Sequence, residues 1–146
     1  MKEPISTANT KDLPPAAVMQ TAWATTPQTD PFSLAPTFSF TENPLLVLYF
    51  AEIETMNMSE SRSFYVRLDG KNDSETITLM HKYSALEVTI ALDAIETQHT
   101  FELVESSNST LPPIINAYEY YSQADSDLLT YSQDGNNACP QQICFK

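Results

Sequence analysis

Short stretches in which apolar and polar residues alternate recur along this chain, and they constrain its fold more than any other feature. In the clearest stretch, residues 63–68, the even positions carry Phe, Val and Leu, while the odd positions carry Ser, Tyr and Arg. Neighbouring side chains of a β-strand point to opposite faces, so this pattern predicts a half-buried strand. Equivalent patterns occur at Ile77 and Leu79, over residues 86–92, and at Phe101 and Leu103.

Longer apolar stretches predict strands of a different kind. Residues 45–53 are apolar on both faces for most of their length, which is typical of a central strand that is covered on both sides. An apolar and β-branched run predicts a further strand within residues 18–25, and residues 114–121 predict the last one.

A helical alternative exists for residues 84–97. It aligns Leu86 and Ile90 on one face but leaves Val88 and Leu92 on another, so a strand accounts for more of the apolar residues. Short strands separated by turn residues, with no helical crossover between them, predict an all-β fold. We therefore expect an antiparallel two-sheet β-sandwich.

Composition excludes several classes of function. Nineteen acidic and seven basic residues give a formal net charge of -12, which disfavours nucleic acid and anionic membrane surfaces as partners. The chain has only two glycines, so it cannot build the glycine-rich loops that bind nucleotide phosphates. No apolar run approaches the roughly 20 residues of a membrane helix, and we expect no cofactor and no direct membrane insertion by this chain.

The 146 residues are enough for one domain with its own core. We expect a polar lead-in over residues 1–14, a single module over residues 15–122, and a flexible acidic tail over residues 123–146. The first residues lack the apolar segment of a signal peptide. On this reading the chain is either not secreted or a piece of a secreted protein.

Four segments follow one another in the order and spacing of a known domain. They are residues 18–22 (VMQTA), 48–54 (LYFAEIE), 61–70 (SRSFYVRLDG) and 108–119 (NSTLPPIINAYE). From about residue 14 to residue 121, the chain resembles the second half of the malectin-like ectodomain of plant leucine-rich-repeat receptor-like kinases. The resemblance implies a jelly-roll type of β-sandwich, related to the sugar-binding protein malectin, at the cell surface or outside the cell. No kinase signature is present in this sequence, so the resemblance implies no enzymatic activity for it.

Three hypotheses about function follow from the resemblance. The first is a non-catalytic recognition module whose ligand is a carbohydrate, a cell-wall fragment or a peptide. The second is a scaffold or co-receptor surface that contacts a receptor protein, for which the acidic charge would suit a basic peptide partner. The third is a truncated receptor product without independent function. The ligand-binding residues are unknown at this stage.

Three asparagines, Asn57, Asn72 and Asn108, stand in the acceptor pattern for N-glycosylation. Roughly 1.6 such matches would arise by chance from the Asn, Ser and Thr content, so three exceed chance only modestly. We predict these three residues as glycosylation sites.

Two cysteines, Cys139 and Cys144, are predicted to form a small disulfide loop. The alternative is two free thiols, which the proline between them favours. The two histidines, His81 and His99, lack the spacing of metal ligands, and we predict no metal site.

Two acidic residues, Glu52 and Glu54, lie at the end of the predicted central strand, about 7 Å apart along it. A glycosidase uses such paired carboxylates. The stronger interpretation is ordinary solvation at the exposed end of a strand, because no aromatic cluster nearby in sequence marks a substrate cleft. No local signature of a catalytic serine or cysteine supports an enzyme either, and we predict no catalytic residue.

Aromatic residues offer material for sugar binding, because sugar rings stack on aromatic faces while carboxylates bind the hydroxyls. Tyr65, Tyr118 and Tyr120, together with Glu119, are the most evident set. The alternative is that these rings only cap the core of a small sandwich.

Overall fold

The computed structural model describes residues 4–24, 44–72, 74–79, 84–93 and 99–121, together with the backbone of residues 32–34. Ten β-strands and one short 3₁₀ turn, Val18–Gln20, lie in these ranges, where no helix has the length and apolar content of a membrane span. The strands are β1 (Trp23–Ala24), β2 (Phe32–Leu34), β3 (Leu45–Phe50), β4 (Ser63–Leu68), β5 (Lys71–Asn72), β6 (Ile77–Thr78), β7 (Leu86–Ala91), β8 (His99–Glu105), β9 (Ile114–Ile115) and β10 (Ala117–Tyr121).

Strand β4 lies at the centre of a five-stranded antiparallel sheet. It pairs with β8 on one side and with β5 and β6 on the other, while β2 pairs with the far side of β8. A two-residue turn joins β4 to β5, with positive φ angles of 47° at Asp69 and 78° at Gly70. Asp-Gly is a favoured sequence for a hairpin turn that needs two such angles.

Strand β3 lies between β10 and β7 in a three-stranded antiparallel sheet. Every residue from Leu46 to Phe50 is buried, so the prediction of a central strand covered on both sides is confirmed. Strands β1 and β9 form a separate antiparallel pair.

The main hydrophobic core lies between the two larger sheets. The rings of Phe50 on β3 and Phe64 on β4 meet edge to face, with centroids 5.2 Å apart. The even positions of β4 point into this core, as their alternation predicts. The core consists of Leu46, Leu48, Phe50, Phe64, Val66, Leu68, Ile77, Leu79, Ile90, Leu92, Phe101, Leu103, Ile114 and Ile115. The predicted antiparallel β-sandwich is therefore confirmed.

A second apolar cluster lies on the opposite face of β3. Ile5 and Met19, from the segment that precedes β1, pack there against Val47 and Tyr49. The Asn116 side chain ties this segment to the sheet, because its amide nitrogen donates to the backbone oxygens of residues 19 and 21, both at 3.0 Å. The outer face of the three-stranded sheet is thus covered by chain from the N-terminal part.

Two of the predicted strands differ in detail. Residues 18–25 are predicted as one strand, but Val18–Gln20 forms a turn, and among the described residues of this stretch the strand is limited to Trp23–Ala24. Burial of Met19 against the sheet competes with the local preference for strand. The strand predicted over residues 114–121 is interrupted at Asn116, whose side-chain oxygen accepts the backbone N–H of Ala51 at 2.7 Å. Residues 86–91 form a strand, which excludes the helical alternative there.

Candidate functional site

The outward face of the five-stranded sheet brings together an aromatic ring, a guanidinium group, a carboxylate and an amide. Because the even positions of β4 are in the core, Tyr65 and Arg67 point outward. Arg67 lies opposite Glu102 of β8 on one side and opposite Asn72 of β5 on the other. Cross-strand partners share a face of a sheet. We call these four residues the open face.

Arg67 organises the open face by contacting all three of its neighbours. Its Nη1 lies 3.2 Å from Oε2 of Glu102, and its Nη2 donates to the Tyr65 hydroxyl at 3.3 Å. Its Nε donates to Oδ1 of Asn72 at 3.5 Å, and the centre of the guanidinium group lies 5.9 Å from the centroid of the Tyr65 ring. The four side chains therefore form one connected surface.

The open face is accessible and close to electrically neutral. The Arg67 and Glu102 side chains are 34% and 37% exposed, and an ion pair at this exposure contributes about 0–1 kcal/mol to stability. The pair can therefore exchange its mutual contact for contacts with a ligand at little cost. A guanidinium donor, a carboxylate acceptor and an aromatic ring together can bind hydroxyl groups and stack on a sugar ring.

A second arginine, Arg62, is buried at the end of the sandwich where β4 begins, and it contacts two glutamates, of which Glu54 is exposed, and a backbone carbonyl. Its Nε lies 2.8 Å from Oε2 of Glu52, its Nη2 lies 2.8 Å from Oε2 of Glu54, and its Nη1 donates to the carbonyl oxygen of Pro112. Arg62 and Glu52 are each 1% exposed. We call these groups the closed network. Burial of Glu52 against Arg62 shows that the interpretation of both glutamates as exposed, solvated residues is wrong for Glu52.

The closed network lies where three of the segments that carry the resemblance to the malectin-like ectodomain meet. They are residues 48–54, 61–70 and 108–119. Ser61 donates its hydroxyl to the backbone oxygen of Asn108 at 2.7 Å and its backbone N–H to the Thr110 hydroxyl at 2.8 Å. Ser109 accepts the backbone N–H of Ser63 through its hydroxyl at 2.9 Å. Together with the contacts of Arg62, these hydrogen bonds join the chain around the start of β4 to the chain between β8 and β9.

The aromatic set that the sequence offers for sugar binding is not brought together. Tyr118 and Tyr120 lie on the core-facing side of β10, and Tyr120 packs against the main core. Glu119 points to the other side, where it accepts hydrogen bonds from the hydroxyls of Tyr49, at 3.0 Å, and Tyr121. Burial and then the hydrogen bond to this carboxylate raise the pKa of Tyr49 far above its ordinary value of 10.

His99 is buried at the start of β8, and both of its ring nitrogens face oxygen atoms. Nδ1 lies 2.7 Å from Oδ2 of Asp69, and Nε2 lies 3.1 Å from the backbone oxygen of Asp93. These contacts leave neither nitrogen available to a metal, and the described residues contain no cluster of metal-ligating side chains. Burial pushes the pKa of Asp69 up, but hydrogen bonds from His99 and Thr100 outweigh it and hold that pKa below the ordinary 3.8.

The three predicted glycosylation sites, Asn57, Asn72 and Asn108, are all exposed. Asn57 lies in a turn, where its backbone oxygen accepts the N–H of Glu60 at 3.0 Å, and Asn108 lies in the turn before β9. Asn72 alone of the three belongs to the open face. Whether any of them carries a glycan stays a prediction. The other predicted residues, Cys139, Cys144 and His81, lie outside the described residues.

Sequence reasoning missed most of the open face. The alternation in β4 places Tyr65 and Arg67 on the outer side, and the pattern in β8 does the same for Glu102. Those signals identify the face of each strand but not which strands are neighbours. Arg67 and Glu102 are 35 residues apart in the chain, and only the pairing of β4 with β8 brings them together.

Comparison with known proteins adds a family relationship. A family model described as "Malectin-like domain" matches residues 1–123. A probable LRR receptor-like serine/threonine-protein kinase of Arabidopsis thaliana is 34% identical over 133 residues, which cover 83% of this chain and 14% of that protein. A probable leucine-rich repeat receptor-like protein kinase of the same plant is 38% identical over 78 residues, covering 53% of this chain and 9% of that protein. The chain thus spans about one seventh of the length of the first relative.

One solved structure supports the fold. A chain in the crystal structure of the plant peptide RALF23 in complex with FER and LLG2 superposes with a TM-score of 0.51 at 14% sequence identity. The match covers 67% of this chain and 28% of that chain. At this identity the similarity concerns the fold alone.

Proposed function

This chain belongs to the malectin-like domain family, and from that membership we propose that it is a non-catalytic recognition module acting outside the cell or at its surface. We further propose that the module binds carbohydrate and that the open face is the binding surface. The kinase activity in the relatives' names belongs to those proteins, of which this chain spans a small part.

One observation carries the proposal: the half-exposed group of Tyr65, Arg67 and Glu102 on a sheet face. In the closed network Arg62 and Glu52 are buried and paired with each other at 2.8 Å, whereas the contacts of the open face are longer and exposed. Hydrogen bonds of 3.2 to 3.5 Å at Arg67 are at or beyond the usual range. A ligand that supplies better partners can replace them.

The chemistry of the open face suits a neutral sugar better than an acidic one. Glu102 compensates the charge of Arg67, so the face offers donors and acceptors together without a net positive charge. The whole chain carries a formal charge of -12, which repels anionic ligands. A sugar with neighbouring hydroxyl groups can donate to Glu102, accept from Arg67 and place its apolar ring face on Tyr65.

The test is isothermal calorimetry of the chain with cellotetraose, maltotetraose and tetragalacturonate. We expect binding of at least one neutral oligosaccharide, weakened about tenfold or more by Arg67→Ala, because a hydrogen bond to a charged group is worth about 1.5–3 kcal/mol. Lys71→Ala is the matched control. This substitution removes the same charge from the neighbouring strand β5, where Lys71 pairs with Leu68 of β4. Equal weakening by both variants would refute the open face as the binding surface.

A protein partner is the alternative function, and the acidic charge of the chain favours a basic one. Salt distinguishes the two functions. Binding of a basic peptide weakens steeply as ionic strength rises, whereas binding of a neutral sugar changes little. A peptide complex that is insensitive to Arg67→Ala and lost at high salt would support this alternative in place of sugar binding.

A further inference from the structure

Asn72 connects two features that the sequence presents separately, a glycosylation acceptor and the open face. It lies directly opposite Arg67 in the β4–β5 pairing, and its Oδ1 accepts from Nε of that arginine. A glycan attaches to the amide nitrogen of asparagine, so this contact through Oδ1 can persist after modification. The first sugar would therefore start beside the guanidinium group, on the same face of the sheet.

We propose that Asn72 carries an N-linked glycan whose first sugar packs on the open face and competes with external carbohydrate for it. The inference that the glycan competes rests on the proposed function. The contact between the glycan and the open face does not. Glycan occupancy at Asn72 would then set how much of the protein is available to a ligand.

The register places the Tyr65 ring within reach of such a sugar. Tyr65 and Arg67 are two residues apart on β4 and share a face, so Tyr65 is the diagonal neighbour of Asn72, about 7–8 Å away. A single sugar ring spans much of that gap. The Arg67 side chain already bridges the two residues through its contacts with the Tyr65 hydroxyl and the Asn72 amide.

Asn108 provides an internal control. It lies near the start of β4, where Ser61 donates to its backbone oxygen, whereas Asn72 follows the end of β4. The two ends of that strand are roughly 17 Å apart. A glycan on Asn108 would therefore leave the sandwich at the end that holds the closed network and would start far from Tyr65.

The experiment uses the chain secreted from a eukaryotic host behind a cleavable leader. Mass spectrometry measures the occupancy of Asn72 and Asn108, and an amidase removes the glycans from the folded protein while the release at each site is timed. We expect release from Asn72 to be about fivefold slower than from Asn108, because a first sugar that stacks on the Tyr65 ring is less accessible to the amidase. Tyr65→Ala is expected to abolish this difference, and so is unfolding of the protein before digestion.

Binding of cellotetraose or maltotetraose then tests the competition. In glycosylated protein, Asn72→Gln is expected to increase the affinity about fivefold, whereas Asn108→Gln leaves it unchanged. In unglycosylated protein made in bacteria, Asn72→Gln should not increase the affinity, because no glycan is present to be removed.

The possible results separate the two proposals. An unmodified Asn72, or release from Asn72 as fast as from Asn108, would overturn the inference of a glycan contact. If the unglycosylated chain binds neither sugar, the proposed function and the competition both fail. Slow release that depends on Tyr65 would support the glycan contact even in that case.

Discussion

Two arginines near β4, five positions apart, differ in burial and in the length of their contacts. Arg62 is buried and held by Glu52, Glu54 and a backbone carbonyl, whereas Arg67 is about one-third exposed and held by longer contacts. Each arginine faces a glutamate from another part of the chain. The difference shows that an arginine–glutamate pair has no fixed role, because burial decides whether its hydrogen-bonding capacity is used within the fold or faces solvent.

The outer faces of the two sheets differ in the same way. On the three-stranded sheet the outward residues Val47 and Tyr49 are apolar or aromatic, and Ile5 and Met19 cover them. On the five-stranded sheet the outward residues Arg67 and Glu102 are charged and about one-third exposed. The first face therefore contributes to stability, whereas the second leaves polar groups in contact with solvent.

The largest decrease in the free energy of unfolding is expected from Arg62→Ala. This substitution leaves the carboxylate of Glu52 buried without its cation, and breaking a buried pair typically costs about 3–5 kcal/mol. Denaturant unfolding measures the loss. A decrease below 1 kcal/mol would contradict the description of the network as closed.

A somewhat smaller effect is expected from Met19→Ala. The Met19 side chain is fully buried between the N-terminal segment and β3, and shortening a buried methionine to alanine costs about 2–5 kcal/mol. Unfolding experiments on Met19→Ala and Val18→Ala form a matched pair, since Val18 is exposed. Equal stabilities for the two variants would mean that the segment does not cover the sheet.

Protonation of Asp69 is expected to lower the stability of the fold at acidic pH. The folded-state pKa of Asp69 is lower than 3.8, because hydrogen bonds from His99 and Thr100 outweigh the opposing effect of burial. The carboxylate therefore contributes stability that is present above about pH 4 and is lost as the pH falls through the folded pKa. In Asp69→Asn, which tolerates the positive φ at this position, we expect a weaker decline in stability below pH 4. An unchanged decline would show that Asp69 does not contribute to the loss of stability below pH 4.

The smallest effect on stability is expected from Arg67→Ala. An ion pair as exposed as Arg67–Glu102 contributes about 0–1 kcal/mol, so this variant should unfold close to the unmodified chain. The comparison with Arg62→Ala by denaturant unfolding is direct, because both variants remove an arginine that contacts a glutamate. A large destabilisation would show that the open face is a structural element instead.

Much of the fold was predictable from the sequence, because alternation reports which side of a strand is buried. The core-facing residues of β4 and the fully covered β3 follow from their patterns, as does the choice of strand over helix for residues 86–91. The break at Asn116 and the turn at Val18–Gln20 did not follow, because contacts distant in sequence cause both. The open face was not predictable either, since it depends on which strands pair.

A titration followed by two-dimensional amide NMR tests the central claim most directly. Addition of the oligosaccharide bound in calorimetry should shift the amide signals of Tyr65, Arg67 and Glu102 in proportion to occupancy. The signals of Val47 and Tyr49, on the covered face of the other sheet, should stay in place. Shifts confined to the covered face or to the closed network, with none at Tyr65 and Arg67, would contradict the account.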